Sequence, residues 1–94
     1  MITNKRQLKK MITDVCTALA TEILAQSTYE HEKLREDAST LIHAVLFTQD
    51  DFLRRISHPE PGMKPKRYYD NLREQFNQTI TEYIDQLNTL GAKE

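Results

Sequence analysis

The apolar positions of this chain repeat at helical spacing almost from end to end. In the first segment they fall at Leu8, Met11, Ile12, Val15, Leu19, Ile23 and Leu24. Steps of mostly three and four residues put these side chains on one face of a helix, expected over residues 4–25. Asn4, with Gln7 three residues later, matches a helix-opening pair whose side chains satisfy free backbone N–H groups.

The second segment opens with Ser27 and Glu30, spaced as a reciprocal capping box. Without a break near Gln26, residues 4–56 would form one helix about 80 Å long, which a chain of this size does not support. Downstream, the positions 34, 38, 41, 45, 49, 52 and 56 keep one phase, with Gln49 the only polar member. They predict a second helix over residues 28–57, with a bend near Thr48 as its one irregularity. A third stripe, Tyr69, Leu72, Phe76, Ile80, Tyr83, Leu87 and Leu90, alternates steps of three and four much as a coiled-coil seam does. It predicts a helix over residues 65–90, with Gly91 as its stop.

Between the second and third helices lies His58-Pro-Glu-Pro-Gly-Met-Lys-Pro65. Pro59 cannot donate to a helix ladder and ends the second helix. Pro61-Gly62 at the centre of the stretch has the pattern of a type II turn. Pro65 suits the first turn of the next helix. The expected fold is therefore all-α: one domain over residues 1–94, a three-helix up-down-up antiparallel bundle with long coiled-coil-like helices.

Two consequences follow from that topology. The first helix is the shortest and should fall about 10 Å short of the end where the other two are joined. Phe52, Leu53, Ile56 and Tyr69 lie at that end. Either Met1, Ile2 and Met63 fold over them, or they are an apolar patch buried between two copies in a homodimer, the reading favoured here. A core drawn from 94 residues is small, which favours such an association.

Charge is the second consequence. The chain's formal net charge is only −1, which argues neither for nor against a charged partner. The same fold, however, gathers Lys5, Arg6, Arg54, Arg55, Lys64, Lys66 and Arg67 at one end, with an excess of carboxylates at the other. This basic end is the candidate anion-binding surface, and Tyr68 beside it adds a ring that could stack on a base. Nucleic acid is still an unfavoured partner, because dedicated binders are usually basic overall.

The chemistry-bearing residues point away from catalysis. His31 and His43 are separated by more than three helical turns, too far for one metal ion on a straight helix. His31-Glu32 lacks the second histidine of a zinc-protease helix. Cys16 sits beside the first apolar stripe, where a buried thiol acts as a small hydrophobe. With one cysteine, no internal disulfide forms, and a reducing compartment is expected. There is no phosphate-cradling glycine loop and no nucleophile elbow. No apolar run reaches the length of a membrane span, and no secretory leader is recognisable at the start. The chain is thus expected to be a cytoplasmic, non-enzymatic interaction or oligomerisation module without a cofactor. A weak anion or nucleic-acid binder is the alternative.

Overall fold

The computed structural model describes residues 4–26 and 32–93. Three helices account for nearly all of them: α1 (Lys5–Ala25), α2 (Glu32–Ser57) and α3 (Pro65–Lys93). No strand occurs among the described residues. The molecule is a rod of 50 × 21 × 17 Å. α2 is its keystone, packing most extensively on α1 and next on α3, while α1 and α3 barely touch.

The helix directions follow from the links. Residues 26–31 span at most about 20 Å, less than the length of α1, so two helices packed along their length must run antiparallel. α3 likewise runs back along α2: Phe76 meets Phe52, and Tyr83, further on in α3, meets Thr48. The end holding the α2–α3 corner is the lower end below. The three-helix bundle read from the sequence is the fold of the protein.

The core is the meeting of the three stripes. Leu8, Ile12, Cys16, Leu19 and Ile23 of α1 are buried against Leu34, Ala38, Leu41, Val45, Phe52 and Ile56 of α2 and Leu72, Phe76, Ile80, Leu87 and Leu90 of α3. At α1's start, the Asn4 side-chain oxygen accepts the Gln7 backbone N–H at 2.7 Å, so that cap forms as the sequence indicates. The Ser27–Glu30 capping box lies outside the described residues.

α2 is one helix through Thr48, as its stripe indicates. Two details differ from the sequence reading. Thr48, not Gln49, is the fully buried polar member of its stripe, because its hydroxyl bonds the Tyr83 hydroxyl at 2.6 Å. Gln49 is half-buried, and its amide oxygen lies out of solvent without a partner. Finally, Gly91 does not stop α3, which continues to Lys93. Leu87 and Leu90 anchor the preceding turns in the core, and that burial outweighs the glycine's helix penalty of about 1 kcal/mol.

The corner behaves as its prolines and glycine dictate. The His58 N–H closes the last turn of α2 on the Arg54 carbonyl at 3.0 Å. The Met63 N–H then reaches the Glu60 carbonyl at 3.4 Å across Pro61-Gly62. Gly62 has φ +86°, the value a type II turn requires at this position. A β-carbon there would meet nothing within 4 Å, so glycine is needed for its backbone angle and not for space. Pro65 opens α3, and the Tyr68 N–H bonds the Lys64 carbonyl at 2.9 Å.

Candidate functional site

At the lower end, where the sequence places an apolar patch, the single chain covers most of it. Phe52 is 4% exposed and Ile56 0%, while Leu53 and Tyr69 are half-buried against the core. Counting helix lengths misses what the start of α3 does. The Phe76 ring meets Phe52 edge-on at 5.3 Å, and the Arg55 guanidinium lies over the Phe52 ring, 4.7 Å from its centre. The Tyr69 hydroxyl donates to the Ile56 carbonyl at 3.1 Å. The Tyr68 hydroxyl donates to the Arg55 carbonyl at 2.8 Å. These two tyrosines satisfy the last carbonyls of α2 and bring their rings over its end. Phe52 and Ile56 are therefore buried within the single chain, and of the expected patch Leu53 and Tyr69 stay partly exposed.

Tyr68 was also the ring expected to be free for stacking beside the basic residues. It is half-buried, tied to α2, and packed edge-on against Tyr69 at 5.3 Å. The basic end itself is partly neutralised. Arg54 pairs with Asp50 at 2.7 Å, Arg55 with Asp51 at 2.9 Å and Lys66 with Asp70 at 2.8 Å. The Lys66 contact holds the Asp70 carboxyl below its ordinary range. Lys5, Arg6, Lys64 and Arg67 are exposed and have no ion pair among the described residues. The topology brings the seven to one end of the rod, but only four of them carry charge without a local counterion. The Tyr68 ring beside them is engaged by the fold rather than standing free.

Candidate catalytic groups are equally engaged or dispersed. Cys16 is 0% exposed, and burial pushes its thiol up to about 11, so it stays protonated at neutral pH. His43 is exposed, and its Nδ1–H donates to the Ser39 carbonyl at 2.8 Å. Among the described residues no three His, Cys, Asp or Glu side chains group closely enough to hold a metal ion. No helix of the described residues is long and apolar enough to cross a membrane.

Two surfaces stand out among the described residues. One is an open groove of about 410 Å³ between the upper halves of α2 and α3, lined by Thr40, Leu41, Ala44, Thr89 and Leu90 with Asp37 and Asp85 at its edges. The other is the outward face of α2. There Phe47 is 73% exposed and its neighbour Leu46 45%, which makes Phe47 the most exposed large apolar side chain among the described residues. Nothing in the fold accounts for a phenylalanine at that position, and its burial elsewhere would be worth about 2 kcal/mol. The sequence did carry a signal for it. Glu36, Thr40, His43, Phe47, Asp50 and Arg54 step by four and three residues, just as the core stripe does, on the opposite side of the same helix. That stripe is polar apart from Phe47, so it reads as a solvated face.

No protein family, curated protein or solved structure matches this chain.

Proposed function

We propose that the protein is a non-enzymatic helical interaction module whose working surface is the outer face of α2. The observation that carries this reading is Phe47, held in the open on the one helix that both neighbours grip. Because α2 packs on α1 and α3 along its inner side, its outer side is a stiff platform, and a rigid aromatic on a stiff platform is the usual anchor of a protein interface. The chemistry of the remaining residues supports the same reading: the one thiol is buried and protonated, and exposed His43 is bonded to its own helix.

The test compares wild type with Phe47→Asp, by sedimentation and by affinity capture from the native host's extract. Phe47 makes no core contact, so the variant should keep its helical content and melting temperature. A macromolecule held by wild type, itself or another chain, should be lost. If both proteins are monomers and retain the same captured set, the reading fails.

A further inference from the structure

We infer that the partner of this face is a second copy of the chain, with the two α2 helices lying antiparallel across a two-fold axis at the level of Val45. This rests on the interaction-module reading and adds the identity and orientation of the partner.

The argument comes from the order of charges along the exposed stripe. All six members, Glu36, Thr40, His43, Phe47, Asp50 and Arg54, are exposed, and their spacing is that of a helix–helix seam. Turning one copy end for end sets positions equally far from Val45 opposite each other. Glu36 then faces the partner's Arg54, and Arg54 faces the partner's Glu36. Phe47 lies on the partner's His43, and His43 under the partner's Phe47. Thr40 meets the partner's Asp50, a hydroxyl donor against a carboxylate acceptor. Every contact is made twice, as a two-fold interface demands. A parallel pairing would instead set Glu36, Asp50 and Arg54 each against its own like charge, so the stripe selects the antiparallel arrangement.

Local structure prepares these side chains. His43 is fixed by its bond to the Ser39 carbonyl, which leaves the ring and Nε2 facing outward. Arg54 is already held toward the stripe by Asp50 at 2.7 Å, and it would bridge Asp50 and the partner's Glu36. Leu46, 45% exposed, and half-buried Leu53 flank the stripe on one side and widen the apolar strip around Phe47. On the other flank Asp37 and Asp51 approach each other across the axis. Each carries its own counterion, Lys33 at 2.8 Å and Arg55 at 2.9 Å. One helix pair buries on the order of 1,000 Å² in total, the range of concentration-dependent rather than permanent pairs.

The test is a charge exchange read by sedimentation at high micromolar protein and low salt. Wild type should sediment as a dimer. Glu36→Arg alone sets arginine against the partner's Arg54, and Arg54→Glu alone sets glutamate against the partner's Glu36. Each should weaken dimerisation by about tenfold or more. The double variant, Glu36→Arg with Arg54→Glu, restores both pairs in reverse and should recover dimerisation to within about threefold of wild type. All these positions are exposed, and circular dichroism checks that each variant keeps its fold. A monomeric wild type, single variants that dimerise as well as wild type, or a double variant that stays as weak as the singles would each overturn the inference. A monomeric wild type that still captures another protein through Phe47 would overturn self-pairing while leaving the module reading intact. Loss of both would remove both.

Discussion

The lower and upper halves of the α2–α3 contact are made of the same two helices but held by different means. In the lower half rings interlock: Phe76 on Phe52, Tyr69 over the end of α2, and Tyr68 bonded to the Arg55 carbonyl. Arg55 adds a hydrogen bond to Gln75 at 3.1 Å. In the upper half Ala44 and Thr89 face each other across an open groove with exposed Thr40 at its rim, and aliphatic side chains such as Leu41, Leu87 and Leu90, without rings, reach the core. The Thr48–Tyr83 hydroxyl pair stands between the two halves. The corner is therefore not just a turn. Because the chain reverses there, the first turns of α3 carry rings that close the end α1 leaves uncovered. Local stability should fall from the lower half to the upper, since it tracks buried contact.

The largest effect that sharpens this contrast is Phe76→Ala. Phe76 is 0% exposed and stacks edge-on with Phe52. Its truncation should cost about 3–5 kcal/mol, the range for a buried phenylalanine. Leu90→Ala beside the groove should cost only about 2 kcal/mol, the low end for leucine, because its surroundings are already open. Urea unfolding measures both, and equal losses would mean that the halves are equally packed.

The α1 side of α2 offers the opposite case, a closed contact, and Cys16 reports on it. The thiol is 0% exposed, and its ionisation is pushed up to about 11 by burial, from an ordinary value near 9. The unfolded thiol ionises near 9, while the folded one stays protonated until about 11. Stability is thus unaffected by Cys16 below pH 9, falls between pH 9 and 11, and loses no more beyond that. The two-unit difference corresponds to about 3 kcal/mol at most. Unfolding free energies of wild type and Cys16→Ala, followed from pH 8 to 11, should converge by an amount of this order as the wild type loses stability. Parallel curves would mean that the thiol already ionises freely in the fold, and that the α1–α2 contact is no drier than the groove.

What the sequence disclosed follows the same division. The three stripes, the helix ends at Asn4 and Pro59, and the Pro61-Gly62 turn were legible because each depends on residues within a few positions of one another. The choice of Thr48 over Gln49 as the buried polar residue was not legible. Both lie near the stripe, and a tyrosine hydroxyl thirty-five residues away decides between them. That Phe52 and Ile56 of the expected patch are buried within the chain was not legible, for a related reason. Helix lengths measure where backbones end, not how far Arg55, Tyr68 and Tyr69 reach across. The outer stripe of α2 was visible as spacing but not as surface. One phenylalanine among charged residues gains meaning only when the fold shows that it faces away from both neighbouring helices.

The smallest effect tests the groove itself. Ala44 is half-buried on the α2 wall of the 410 Å³ opening. Its backbone carbonyl accepts the Tyr83 hydroxyl at 3.4 Å, a contact that does not depend on its side chain. Ala44→Leu adds three carbons at that wall. In a close-packed core such an insertion forces neighbours off their rotamers and costs about 1–3 kcal/mol. In an open groove the new side chain can lie against Leu41 and Leu90, and partial burial returns up to about 1 kcal/mol. Leucine is also nearly as good a helix former as alanine, so α2 itself loses little. The expected result is a melting temperature unchanged or raised by a few degrees. A clear drop would place the upper half of the α2–α3 contact on the same footing as the lower, with no room between the helices. The sign of this shift decides the matter more directly than its size, because close packing and open space predict opposite directions for the same added carbons.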